Sequence, residues 1–247
     1  MAAPLVLFHV SDLHFGYEDR KALAWFLAAV ERERPAAVLC TGDLTMRGTA
    51  REFAAAREWL AQVPVPLVLE PGNHDVPYYW YPLARALHPW RHYRALEAAV
   101  ERGPALDELA VVPLRTVAAA QWRLNWSKGR VSPADLDTAL QGLALQQARP
   151  LKLVTCHHPL LDAELAGSGS TRGGQRALAA LARAGADAVL SGHVHDAFDL
   201  TVDAGGLPIR MIGAGTLSQR LRSTAPSYNR LEWSAEMGLS VLSRTAP

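Results

Sequence analysis

Among 247 residues the chain has only two cysteines, Cys40 and Cys156, which excludes a disulfide framework and a thiolate-rich zinc site. No apolar run approaches the ~20 residues that cross a bilayer. The apolar stretch at residues 4–10 is short, broken by His9 and without a basic flank, so it does not read as a signal peptide. Net charge is nearly absent at +1, which argues against a broadly basic face for nucleic acid or an anionic membrane. No fixed-period repeat is visible, and the 18 glycines and 16 prolines are dispersed. What is present, 49% hydrophobic and 20% charged residues, is the composition of a globular protein with a sizeable core. The expectation is a single cytoplasmic domain over residues 1–247, with no stable nucleic-acid partner and no membrane association.

Short apolar runs alternate with helical patterns through the first half. Residues 5–10, 36–40 and 66–69 read as strands, and 20–34 and 51–61 as helices between them. That βαβαβ order predicts parallel strands joined by right-handed crossovers. Residues 78–104, dense in aromatics and arginine, read as a small helical cap inserted over the site. Beyond it, 109–121 reads as strand pairs, and Ser132 with Pro133 suits the start of a helix reaching about residue 147. Residues 151–155 and 188–190 read as strands around a helix at 172–184. Four short runs in the last 50 residues are spaced like antiparallel strands. The fold class is α/β, with a parallel half and a more antiparallel half. Edge strands of such sheets can pair between copies, which leaves a homodimer open.

Five of the strand runs lead into residues that ligate metals: Ser11-Asp12-Leu13-His14, Thr41-Gly42-Asp43, Pro71-Gly72-Asn73-His74-Asp75, Cys156-His157-His158-Pro159 and Gly192-His193-Val194-His195. Six of the nine histidines lie in these clusters. Open α/β sheets place their ligands outside the carboxyl ends of the strands, so the five clusters converge. Imidazole with carboxylate and no thiolate suits Zn, Mn, Fe or Co, and so many ligands imply two ions rather than one. Two divalent ions, less the Asp12 and Asp43 carboxylates and one hydroxide, leave about +1, the complement of one phosphodiester anion.

In this order and spacing the motifs resemble the calcineurin-like metallophosphoesterase superfamily. The fuller forms Ser11-Asp12-Leu13-His14-Phe15-Gly16, Thr41-Gly42-Asp43-Leu44-Thr45 and Ser191-Gly192-His193-Val194-His195 are most similar to its class III cyclic-nucleotide phosphodiesterase branch. The resemblance implies a sandwich of two mixed β-sheets flanked by helices. It implies Asp12, His14, Asp43 and His195 around one ion, and Asp43, Asn73, His157 and His193 around a second, with Mn, Fe or Zn as candidates. His74 would face the substrate and protonate the leaving oxygen, with Asp75 holding its ring, while a metal-bound hydroxide attacks phosphorus in line. His158 would stand beside the ligands, orienting them or contacting substrate. One departure is Ala120-Gln121-Trp122, where many relatives carry an Asp-Ser pair.

Above the metals the residues leave alternatives open. Tyr78-Tyr79-Trp80-Tyr81 with Trp90 and Tyr93 either stack a nucleobase or pack the cap against the body. Residues 109–134 and 204–231 carry four basic residues each and no acid; they frame an anion or are solvated charge. Lys128 and Arg220, in loops resembling those of bacterial relatives, are the substrate-contact candidates. The expected function is hydrolysis of a small phosphodiester, cyclic AMP or cyclic GMP first. The alternatives are a phosphodiesterase or phosphomonoesterase with another substrate and, remotely, a non-catalytic interaction module.

Overall fold

The computed structural model describes residues 3–78, 81–118, 127–162 and 171–247. Sheet one has the order β10-β9-β1-β2-β3, built from β1 (Leu5–Val10), β2 (Ala37–Cys40), β3 (Leu67–Leu69), β9 (Ser227–Ser234) and β10 (Gly238–Thr245). Sheet two has the order β4-β5-β6-β8-β7, built from β4 (Leu109–Pro113), β5 (Leu151–Thr155), β6 (Ala188–His195), β7 (Phe198–Asp203) and β8 (Pro208–Gly215). The β1-β2-β3 ladders are parallel, as the alternating pattern predicts, and β1-β9, β9-β10 and β7-β8 are antiparallel. The tail strands thus divide between the sheets: β8 runs parallel to β6 in one and β9 antiparallel to β1 in the other.

Three apolar layers hold the sandwich. Leu7, Leu39, Leu153, Leu190, Ile212 and Leu231 meet between the sheets. Phe8, Val10, Val38 and Cys40 pack outward on sheet one against α1 (Arg20–Glu33), α2 (Ala50–Leu60) and α4 (Arg91–Val100). Val112, Val154, Val189 and Met211 do the same on sheet two against α5 (Pro133–Leu145) and α6 (Gly174–Arg183). Strands buried on both faces read as continuous apolar runs, which is why β1 and β2 were legible without alternation. The helix starts follow from their caps. Asp19 accepts from Lys21 and Ala22 N–H, Thr49 and Glu52 form a reciprocal capping box, and Ser132 accepts from Asp135 N–H ahead of Pro133.

The cap expectation needs correction. α3 (Pro82–Leu87) is short, and α4 belongs to the body: Tyr93, Leu96 and Val100 are buried in the same core as Phe26 and Trp59. Tyr93 donates its hydroxyl to the Leu69 carbonyl at 2.9 Å, so it cannot stack a base, and Trp90 lies under the Arg115 guanidinium at 4.8 Å. An amphipathic helix beside an edge strand gains more from burying its apolar stripe than from standing over a polar cleft. Tyr79, Trp80 and the 120–122 departure lie outside the described residues.

Candidate metal centre

The ligand clusters emerge where β1, β2, β3, β5 and β6 end, and backbone geometry turns their side chains inward. Among the described residues, six non-glycines have positive φ; five are Asp12, His14, Asp43, His193 and His195, at +46° to +70°. Each such residue costs on the order of 1–3 kcal/mol, strain that collects where a site dictates geometry. Close approach is also enforced by glycine. A Cβ on Gly72 would run into the Asp43 carboxylate, and one on Gly192 into Ser11 Oγ and Asp12 Oδ2.

Imidazole tautomers are set by carbonyls, which only accept. His14 Nδ1 donates to Thr45 O (3.3 Å), His195 Nδ1 to Arg220 O (2.6 Å) and His157 Nδ1 to Thr41 O (2.8 Å). Each neutral ring therefore presents an Nε2 lone pair to the centre. His14 and His195 Nε2 face each other at 3.2 Å, and Asp12 Oδ1 lies 3.5 and 3.1 Å from them. That oxygen is buried without a hydrogen-bond partner. Three acceptors so close together repel unless a cation lies between them, and this orphaned carboxylate oxygen is the clearest mark of a metal position. Beside it, His157 Nε2 lies 3.2 Å from Asn73 Oδ1 and 3.4 Å from Asp43 Oδ2. The same Asp43 oxygen is 3.7 Å from His14 Nε2, so Asp43 stands between two electron-rich pockets. The His193 ring lies edge-on to that of His157 at 5.2 Å, completing the second.

Protonation in the metal-free chain says the same. Burial would raise Asp12, yet the facing His195 and His14 hold its carboxyl well below the usual range. Burial lowers His157, but Asp43 beside it outweighs burial and pushes it up to about 9; Asp12 likewise raises His195. Burial lowers His14, and burial with the neighbouring His157 takes His193 down to about 3. The centre attracts positive charge, and where no metal supplies it, protons do. The donor set of oxygen and imidazole nitrogen fits two transition-metal ions.

Every described metal-ligand candidate from the sequence is brought together, with His74 beside them. His74 Nδ1 donates to Met46 O at 2.6 Å, its ring meets that of His14 edge-on at 4.9 Å, and Arg220 Nη1 is 3.1 Å from its Nε2. One candidate role is corrected and another narrowed. Asp75 does not hold the His74 ring, whose nitrogens are engaged elsewhere; its carboxylate accepts from the N–H groups of Leu44, Thr45 and Gly72 and from the Thr45 hydroxyl. It ties the Asp43 loop to the Asn73 loop, and burial with the Asp43 charge raises its pKa to about 6. Of the two roles given to His158, its hydrogen bonds fit the orienting one beside the ligands. Its Nε2 donates to Ser127 O at 2.8 Å and its Nδ1 pairs with the Thr116 hydroxyl at 3.0 Å, leaving no lone pair for a metal or a ligand.

Of the basic candidates, Arg220 reaches the centre, its Nη1 also 3.3 Å from His14 Nε2. Lys128 is half-buried in the loop whose Gly129 packs on His158. Arg115 stacks on Trp90, Arg210 pairs with Asp199 and Arg230 with Glu33, so these belong to the scaffold; Arg123 lies outside the described residues. The sequence reading missed Asp196, whose carboxylate accepts from Ser223 and Thr224 and folds the Arg220 loop. Thr216, in a loop resembling those of bacterial relatives but given no role from the sequence, bonds Asp12 O through its hydroxyl at 2.6 Å. For Asp196 the available signal was its place directly after the Gly-His-x-His motif.

Comparisons with known proteins bear on the fold and the family. A glycerophosphodiester phosphodiesterase, GpdQ of Enterobacter lignolyticus, is 34% identical over 82 residues, which span 29% of this chain and 30% of that protein. A dimetal phosphatase from Danio rerio shares the fold at 14% identity with a TM-score of 0.66, covering 100% of both chains. The purple acid phosphatase PPD1 of yellow lupin (Lupinus luteus) shares it at 13% identity and a TM-score of 0.66, over 99% of this chain and 52% of that one. Among the described residues no helix is long and apolar enough to cross a membrane. The calcineurin-like phosphoesterase family matches residues 5–197, the span that holds all five ligand clusters, and the chain is a member of that family.

Proposed function

We propose that the chain hydrolyses a small phosphodiester with two metal ions held by Asp12, His14, Asp43 and His195 on one side and Asp43, Asn73, His157 and His193 on the other. The observation that carries this reading is the pair of acceptor clusters meeting at Asp43 Oδ2, with Asp12 Oδ1 left unpartnered. When bound, the ions supply Lewis-acid polarisation of the phosphoryl oxygens and a water acidic enough to attack near neutral pH. The chain does the rest. His74, its Nδ1 proton committed to Met46 O, has Nε2 as its working atom; once Arg220 turns away, Nε2 takes a second proton from solvent, passes it to the departing oxygen and leaves the ring neutral. Arg220, now against that nitrogen, turns its guanidinium to the phosphoryl oxygens, and the Asp196 bonds hold its loop in place. Lys128 adds positive charge at the rim.

Among diesters, cyclic AMP and cyclic GMP remain the first substrates to test on the strength of the motifs. The similarity to GpdQ favours a second reading, a glycerophosphodiester. The experiment is a panel on metal-reconstituted protein: bis-p-nitrophenyl phosphate, p-nitrophenyl phosphate, the two cyclic nucleotides and glycerophosphoethanolamine, with His74→Ala as control. Diester turnover falling ~10²–10⁴-fold in the variant is the expected outcome. No diester turnover with two ions bound overturns the proposal, and the preferred diester decides between the two substrates.

A further inference from the structure

Behind the centre, on the far side of Pro71, a cavity of about 360 Å³ opens between the edge strands β3 and β4 under α4. Its floor includes Glu70, which is 4% exposed. The groups around Glu70 are Tyr93 and Glu97 of α4, Glu101 just past its end, Arg115, and Cys156 just past β5. Burial foremost, helped by Glu101, raises the Glu70 carboxyl to about 8, so at neutral pH it is a neutral acid. Its bonds are directional. The backbone N–H goes to Cys40 O within sheet one, while the carboxyl crosses to sheet two and accepts from the Thr155 hydroxyl at 2.6 Å.

No ladder joins β3 to β5, which lie in different sheets. Yet Asn73 follows Glu70 by three residues, His157 follows Thr155 by two, and the two candidate ligands must stand 3.2 Å apart. An apolar residue would fill the floor at lower desolvation cost, so what the carboxyl adds is the bond across the seam. We propose that Glu70 is a positioning residue: through Thr155 it holds the Asn73 and His157 loops at the spacing their shared ion requires. The inference rests on the two-metal reading of the site.

The test is titration of the metal-free full chain with Mn²⁺, followed by calorimetry, and with Co²⁺, followed by its visible spectrum. Wild type shows two binding steps. Glu70→Leu and Thr155→Val each weaken one step by ~10–100-fold and leave the other unchanged, as loss of an outer partner of a ligand does. Glu70→Gln and Thr155→Ser, which keep the acceptor and the hydroxyl, retain both steps. The double variant Glu70→Leu/Thr155→Val is no worse than the worse single one, because both remove the same bond. Should Glu70→Leu fail to fold, Thr155→Val against Thr155→Ser carries the test. Equal weakening of both steps, a lowered melting temperature with both steps intact, or a Glu70→Gln as impaired as Glu70→Leu overturns the inference. Fewer than two ions in wild type overturns the two-metal reading and the inference with it; two ions without a selective loss overturns the inference alone.

Discussion

The two sheets contribute to the centre by different means. On sheet one the Asp12 and Asp43 loops are tied to each other through the backbone: Asp12 N–H to Gly42 O, His14 N–H to Asp43 O and Phe15 N–H to Leu44 O, each at 2.9 Å. The ligands from sheet two reach that platform through side chains, by His157 Nδ1 to Thr41 O and by His193 N–H to Asp12 Oδ2. Their chemistry differs as well. Sheet one supplies the carboxylates and a His14 lowered by burial, whereas sheet two supplies only imidazoles, His157 and His195 raised by facing carboxylates and His193 lowered by burial. A backbone ladder tolerates the loss of any one side chain, and a seam of side-chain bonds does not. Damage to the seam therefore shows in metal binding before it shows in folding.

Four changes probe that contrast, from the largest expected effect to the smallest. Asp43→Ala removes the one residue that both halves share. Bound metal measured by mass spectrometry falls towards none, and turnover falls by more than the ~10²–10⁴-fold of a lost general acid. If this variant keeps two ions and normal turnover, the halves do not share Asp43. Gly192→Ala drives a methyl into Ser11 and Asp12 at the seam, an overpacking of ~1–3 kcal/mol that lowers the melting temperature and weakens the Asp12 side of the centre. An unchanged metal titration would mean that the seam gives way without cost.

Acidity acts through sheet two. A metal must displace the proton that His157 holds up to pH about 9, so affinity for its ion rises with pH, ~10-fold per unit for one released proton, and levels off above pH 9. A flat profile below pH 8 would show that His157 is already neutral. The smallest effect is in stability. Glu70 ionises at 4.5 ordinarily and at about 8 in the fold, so its folded-state penalty is absent below pH 4.5, grows as pH rises through 8 and is then constant. Glu70→Gln escapes it, and its melting temperature should match wild type at pH 4 and exceed it at pH 9. No gain at pH 9 would mean that the carboxyl ionises there without cost.

Legibility in the sequence was uneven for physical reasons. The parallel strands β1, β2 and β3 and the helices between them were readable because continuous apolar runs and 3.6-residue periodicity agree, and α5 because Ser132 and Pro133 mark its start. That the candidate ligands converge was readable because strand ends bring them together. In the region 78–104 the sequence left two readings open, because aromatic and arginine content marks an interface without saying which. Tyr93 found the core and the Leu69 carbonyl instead of a ligand. Asp75 and His158 were assigned roles by their neighbours in sequence, whereas their partners came from loops around residues 44 and 127.

The sequence by itself determined the α/β class, the metal chemistry and the identity of the candidate ligands, since each rests on local pattern or on residue type. Only the tertiary structure decided which nitrogen each histidine offers, since the deciding carbonyls of Thr41, Thr45 and Arg220 belong to backbone that every residue has. It also decided that Arg220, and not Arg115, Arg210 or Arg230, stands at the centre, and that Glu70 faces Thr155 across the seam. Those outcomes depend on how two sheets stack, and stacking follows from the whole apolar interior rather than from any local pattern.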